Sequence, residues 1–205
     1  MIKYGIKIVE AAESDLDDIV AIHMRAFSDF FLSSLGVRFM RVYYKSCLRA
    51  KESIFIVMKK VNSNEIIGFA MGSLYPFGFH RRLVSNNFLR FSSFLLEVLF
   101  YSPMSLLRLL HNLNKPMIER EGQIELLSIC ISPKFEGEGF GGLLLDAFEN
   151  RVMFSGGVYI TLTTDVLYNE GVLKFYDTHG YVKDQEFISY PDRPMYRLLK
   201  KLREA

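Results

Sequence analysis

Between Ile131 and Gly142 the chain reads Ile-Ser-Pro-Lys-Phe-Glu-Gly-Glu-Gly-Phe-Gly-Gly. Gln123 to Ser132 before it has the pattern of a strand, and Leu143 to Met153 after it that of an amphipathic helix, so the glycines at 137, 139, 141 and 142 occupy a strand-to-helix turn. In such a turn backbone N–H groups can converge on an anion, helped by the positive end of the helix dipole. Side chains there would block phosphate oxygens, which is why glycine suits the position. The segment has no Gly-Lys-Ser/Thr, and its Gly-x-Gly-x-Gly-Gly spacing lacks the dinucleotide pattern with an acid about 20 residues on. A P-loop and a Rossmann site are therefore excluded, and a glycine-rich connector with no ligand is the plain alternative.

The elements before this turn are legible from periodicity. Ile6, Ile8 and Ala11 suggest a strand, and Ser14 with Asp17 resembles a capping box opening a helix over Leu16–Phe27. Leu35, Phe39, Val42 and Tyr43 recur at helical spacing and predict a second helix through about Leu48. Ile54–Lys60 and Ile66–Tyr75 are β-branched and aromatic runs either side of Val-Asn-Ser-Asn-Glu, so they should form an antiparallel hairpin. After the turn, Val158–Thr164 alternates like a buried strand and Glu170–Thr178 reads as a short helix. Tyr181–Tyr190 and Tyr196–Leu202 read as closing strands, the last with a helical alternative.

Residues 77–118 differ in texture. They hold five basic residues (Arg81, Arg82, Arg90, Arg108 and Lys115) against one acid, Glu97. Asn86, Arg90, Ser93 and Glu97 form one narrow polar stripe on a helix otherwise made of Phe, Leu and Val, and Ser102-Pro103 breaks it before a further helix over Leu106–Leu113. This is a helical insertion within a single domain spanning residues 1–205. Residues 83–113 read as core or as a surface for a membrane or partner, which leaves peripheral membrane contact and a homodimer open.

Composition excludes several classes. The 205 residues are 50% apolar and 14% aromatic, too hydrophobic for a disordered chain, and 25 Lys+Arg against 23 Asp+Glu give no general grip on nucleic acid. Cys47 and Cys130 form neither a disulfide framework nor a zinc pattern, and the four histidines have no metal-ligand spacing. No apolar run reaches the ~18 residues a spanning helix needs, and Glu10, Glu13 and Asp15 interrupt any export signal. A reduced, cytoplasmic protein without a metal is expected.

Pro133, Phe135, Glu136, Gly139 and Gly141, followed downstream by Asn169-Glu-Gly-Val-Leu-Lys-Phe-Tyr176-Asp-Thr-His-Gly180-Tyr181, carry a resemblance. In order and spacing they resemble two motifs of the GNAT superfamily of N-acetyltransferases: Pro-x-Tyr/Phe leading to Arg/Gln-x-x-Gly-x-Gly/Ala, then Asn, an apolar position, Phe/Leu-Tyr and Gly-Phe/Tyr. The likeness covers about residues 120–190 by motif and 6–75 by layout, with the insertion outside it. It implies an α/β fold with a mixed, mostly antiparallel twisted sheet flanked by helices, opened between the strands at 123–132 and 158–164.

It also implies acetyl-CoA as co-substrate, with its pyrophosphate on the backbone of Gly137, Glu138, Gly139, Phe140, Gly141 and Gly142. By the same likeness, the Ile129 N–H polarises the thioester, Ile131 and Asn169 meet the pantetheine arm, and Tyr176 protonates the departing thiolate. Glu125, 11 residues before Glu136, stands where histone-type members carry a catalytic glutamate. An ordinary strand carboxylate is its plain reading, and Asp165 is the reserve base. The family's Arg or Gln is Glu136 here, beside a polyanion, so Lys134 or Arg81 and Arg82 are expected to compensate. Arg81 and Arg82 are also candidates to bind the acceptor, a small-molecule primary amine such as an amino sugar or nucleotide-linked sugar. A protein or peptide N-acetyltransferase and a catalytically silent acyl-CoA-binding module are the alternatives. His179 reads as a helix-end residue and Cys130 as packing.

Overall fold

Ile6–Glu10, Ser53–Lys60 and Ile66–Ser73 concentrate β-branched and apolar residues, and in the computed structural model they pair antiparallel as β2, β3 and β4. The structure describes residues 2, 3, 5–28, 30–92, 118–189 and 192–202. A short strand, β1 (Ile2–Lys3), joins β2, and β5 (Gln123–Ile131), β6 (Tyr159–Asp165), β7 (Val182–Ser189) and β8 (Arg193–Lys201) complete the pairing. Among the described residues there is one eight-stranded sheet in the order β1-β2-β3-β4-β5-β6-β8-β7. Every neighbouring pair is antiparallel except β5 with β6. The architecture is the mixed, mostly antiparallel one expected.

Helices cover both faces of this sheet. Along β3 the side chains alternate, with Ile54, Ile56 and Met58 in one core and Phe55 and Val57 in the other, as the period of a strand requires. The first core is closed by α5 (Phe140–Phe154), through Leu144, Leu145, Phe148 and Val152. The second is closed by α1 (Leu16–Ala26), α3 (Gly36–Arg49) and α4 (Phe79–Asn86), through Ile19, Val20, Phe39, Met40, Tyr44 and Phe79. Because β4 lies between both layers, all eight of its residues are buried. A short helix, α2 (Phe31–Ser34), and α6 (Glu170–Thr178) complete the set.

Three local readings change. The capping box expected at Ser14 and Asp17 is replaced by half of one two residues earlier: a 3-10 turn over Glu13–Asp15 precedes α1, and the Asp15 carboxylate accepts from the Ala12 N–H at 3.0 Å and from Lys59. The insertion helix is interrupted at Asn87, whose side-chain amide donates to the Leu83 carbonyl at 3.0 Å and ends α4, so Asn86 and Arg90 stand on separate helical turns. Ser93, Glu97, the Ser102-Pro103 break and Leu106–Leu113 lie outside the described residues. The closing segment is a strand, because β8 hydrogen-bonds to β6 on one side and β7 on the other.

Two irregularities position the site. The parallel pairing of β5 and β6 lasts for Gln123, Ile124 and Glu125 against Tyr159, Ile160 and Thr161, beyond which the ladder stops. Where they part, β5 also breaks register with β4: Met71 faces Ser128 and Gly72 faces Leu126, so Leu127 is an extra, bulged residue. The sheet is therefore opened between β5 and β6, and the strand at the opening is kinked.

Candidate active site

A cavity of about 810 Å³ fills the opening. Glu125 to Ile129 of β5 and Leu162 to Asp165 of β6 form its flanks, Asn169 and Tyr176 close one side, and residues of α1, α3 and α4 close the other. Glu125, Ile129, Asn169 and Tyr176, four of the residues singled out in the sequence, thus line a single space. Ile131 does not line it; it pairs with Gly68 and packs on the first core.

Tyr176 is buried on α6, with Phe175 and Tyr181 rings edge-on at 5.2 and 5.4 Å. Burial pushes its phenol well above the usual tyrosine range, so it holds its proton at neutral pH. The Asn169 side-chain amide donates to Thr164 Oγ1 at 2.7 Å and to the Asp165 carbonyl at 2.9 Å, tying the start of α6 to the end of β6. The Glu125 carboxylate acts electrostatically on both Tyr43 and Arg197. Burial raises the Tyr43 phenol, and the charges of Cys47, Tyr44 and Glu125 add to that. Burial lowers the Arg197 guanidinium while Glu125 and Asp184 pull it back up, and Arg197 donates to Gln185 Oε1 at 3.1 Å. Asp165, the reserve base, is held by both nitrogens of an Arg193 fork and so is committed to an ion pair.

The glycine turn divides into two kinds of position. Gly137 and Gly139 have φ of +79°, a left-handed conformation, and a Cβ on either would meet nothing within 4 Å. Their backbone is therefore open to an approaching ligand. At Gly142 a Cβ would stand 3.0 Å from His179 Nε2, and at Gly141 one would touch Phe175 at 3.6 Å. These two glycines let α5 seat against α6. His179 itself donates from Nδ1 to the Phe175 carbonyl at 2.7 Å and packs on that ring at 4.4 Å, as a helix-end residue should. Glu138 and Phe140 line a second hollow of about 380 Å³ with Lys60 and Phe135.

The arginine pair is split. Arg81 lines the cavity and is exposed, whereas Arg82 binds both oxygens of Glu52 at 2.9–3.2 Å and donates to the Tyr75 and Phe77 carbonyls. Arg82 is thus a brace, not a cavity residue, because Glu52 sits under the turn that leads into α4. Lys134 pairs with Glu65 at 3.6 Å, so the compensation expected for exposed Glu136 is drawn elsewhere. Cys47 and Cys130 are buried and free, and burial raises both thiols. Among the described residues no group of three or more His, Cys, Asp or Glu could hold a metal, and no helix is long and apolar enough to cross a membrane.

Sequence reasoning missed the bulge at Leu127 and a buried chain beside it. The Tyr44 hydroxyl contacts His23 Nδ1 at 2.7 Å and Ser128 Oγ at 3.3 Å, and Ser128 lines the cavity next to Ile129. Ser128, a polar residue between Leu127 and Ile129, was the available signal.

The profile of the acetyltransferase (GNAT) family matches residues 16–181. No curated protein sequence matches. Among solved structures, a spermidine N-acetyltransferase chimera from Vibrio cholerae is 13% identical with a TM-score of 0.63, over 96% of this chain and 95% of its own. The ribosomal-protein-S18-alanine N-acetyltransferase of Escherichia coli is 11% identical with a TM-score of 0.61, over 98% and 96%. The PaiA N-acetyltransferase of Thermoplasma acidophilum, solved with coenzyme A, is 13% identical with a TM-score of 0.61, over 96% and 99%. At these identities the likeness shows the fold.

Proposed function

Because the chain belongs to the acetyltransferase (GNAT) family, whose members depend on acetyl-CoA, we propose that it moves the acetyl group to the primary amine of a small molecule by direct attack. The observation that carries this reading is that Glu125 and Tyr176, a carboxylate and a phenol that keeps its proton, line one cavity at the parting of β5 and β6. A base and an acid on either side of a thioester are what the reaction needs.

In this reading the pyrophosphate rests on the open backbone of Gly137 and Gly139, and the pantetheine arm enters between β5 and β6. Glu125 takes a proton from the acceptor ammonium, directly or through water, freeing the nitrogen lone pair. The lone pair forms the new C–N bond, and the carbonyl electrons move to oxygen. The Ile129 N–H receives that oxyanion, a contribution of typically ~3 kcal/mol to the barrier. The oxyanion then re-forms the carbonyl as the C–S bond breaks, Tyr176 passes its proton to sulfur, and the nitrogen gives up its second proton through water to the Tyr176 phenolate, leaving a neutral amide and the free thiol of CoA. The acceptor side of the cavity is walled by the buried rings of Phe39, Phe79 and Phe91, which suits a compact acceptor better than a peptide.

Calorimetric titration with acetyl-CoA, followed in the same sample by thiol release with a panel of amines and amino sugars, tests the reading. Binding with amine-dependent thiol release is expected. Binding without release from any amine would leave a silent acyl-CoA module, and absence of binding would remove the donor site.

A further inference from the structure

Resting on the transferase reading, we infer a substrate class: the acceptor is an amine carried on an apolar body, aromatic or alkyl, which lies among α1, α3 and α4 with its nitrogen at Glu125. The cavity holding Glu125 runs without interruption onto a wall made by Phe27, Phe39, Tyr43, Phe79, Leu83 and Phe91. These residues come from α3, α4, the residue that ends α1 and the helical stretch after Asn87, and four of them pack against the sheet with exposures of 1–4%. Phe39 and Phe91 lie 5.8 Å apart between centroids, and Tyr43 is stacked near His80 at 6.1 Å.

Most polar groups beside this wall already have a partner within the protein. His23 Nδ1 is hydrogen-bonded to the Tyr44 hydroxyl at 2.7 Å, and Nε2 of the same ring has no partner among the described residues. Farther along the cavity, Asp165 is neutralised by Arg193, and Arg197 is engaged by Gln185. Arg82, the second cation a phosphate-bearing acceptor would have used, is turned onto Glu52. A sugar hydroxyl or phosphate pushed against the aromatic wall would lose its water without an equal replacement. An apolar group gains by the same transfer, and the Glu125 carboxylate is complementary to the ammonium at its end.

The test measures kcat/KM with acetyl-CoA for ethylamine, butylamine, hexylamine and 2-phenylethylamine, and for glucosamine. Efficiency should rise about fourfold per added methylene until the wall is filled, with 2-phenylethylamine well above glucosamine. Phe27 is half-buried at the end of α1, so Phe27→Ala should preserve the fold. It should cost 2-phenylethylamine about tenfold more than it costs ethylamine. Val84→Phe, which adds a ring to a half-buried lining position, should discriminate in the same direction by filling the space. Efficiency that is flat or falls with apolar size, or is greatest for glucosamine, overturns the inference while the transferase stands. Acetyl-CoA binding without turnover of any amine overturns it too, and absence of acetyl-CoA binding overturns the transferase reading beneath it.

Discussion

The Tyr44 hydroxyl lies 2.7 Å from His23 Nδ1, with both side chains buried between α1, α3 and the sheet. The other ring nitrogen, Nε2, has no hydrogen-bond partner among the described residues. Charging this imidazole would bury an uncompensated cation, and burial accordingly lowers the His23 pKa from 6.5 to about 4.

The sign of the resulting pH dependence follows. In the unfolded chain His23 takes up a proton near its ordinary value, and in the folded protein only near 4, so acid favours unfolding. The stability it contributes is complete above about pH 6.5 and is lost progressively as pH falls through about 4, in all about 3 kcal/mol. Thermal melts between pH 7.5 and 4 should show this decline, and His23→Asn, which keeps an acceptor for Tyr44, should flatten it. Parallel curves for the two proteins would place the acid sensitivity elsewhere.

Arg81 and Arg82 are adjacent in sequence and different in role. Arg82 makes a fork onto Glu52 and reaches two carbonyls of the turn before α4. Arg82→Ala should lower stability by about 1 kcal/mol, seen as a lower Tm. Arg81→Ala removes an exposed charge and should shift stability by less than about 0.5 kcal/mol. With 2-phenylethylamine as acceptor its KM should stay the same or fall up to about twofold, since a positive charge beside a cationic substrate is lost. A KM for 2-phenylethylamine that rises tenfold in Arg81→Ala would mean instead that Arg81 helps to hold the acceptor.

Legibility in the sequence tracks the range over which each feature is determined. The β3–β4 hairpin was readable because its apolar runs flank Asn and Ser residues that favour a turn, and α5 because its glycine start and apolar period are local. α2 and β1 are too short to have a period. The bulge at Leu127 left no mark, because Leu126-Leu127-Ser128 carries no Gly or Pro and the extra residue exists only relative to Met71 and Gly72 across the ladder. The candidate cavity residues Glu125, Ile129, Asn169 and Tyr176 came from motif order, whereas the partners of Asp165 and Arg82 lie 28 and 30 residues away. Those ion pairs decide which charges remain for a ligand, and no local pattern encodes them.

The glycine turn offers two substitutions of opposite sign on donor binding. Gly139 has φ +79°, so Gly139→Ala should strain the turn by about 1–2 kcal/mol and weaken acetyl-CoA binding even though a Cβ there meets no other atom. Glu136 is exposed beside the same turn, where the family carries Arg or Gln. Glu136→Arg replaces a charge that repels a pyrophosphate by one that attracts it and should tighten acetyl-CoA binding by about fivefold or more. Calorimetry on both variants checks the pair. Unchanged affinity in both would mean that the pyrophosphate does not rest on this turn.

Tyr176 and Glu125 separate by step. If Tyr176 protonates the thiolate, Tyr176→Phe should lower kcat by about 10²-fold or more while leaving the acetyl-CoA Kd within about twofold, since the ring and its contacts with Phe175 and Tyr181 are kept. Glu125→Gln should lower kcat/KM most at pH values where the acceptor is an ammonium. That loss should shrink as pH rises toward the amine's own pKa and the free base becomes abundant without help. A Glu125→Gln deficit that stays constant with pH would make this carboxylate a positioning group for Arg197 and Tyr43 rather than the base, because only the proton-accepting role depends on how much ammonium remains to be deprotonated.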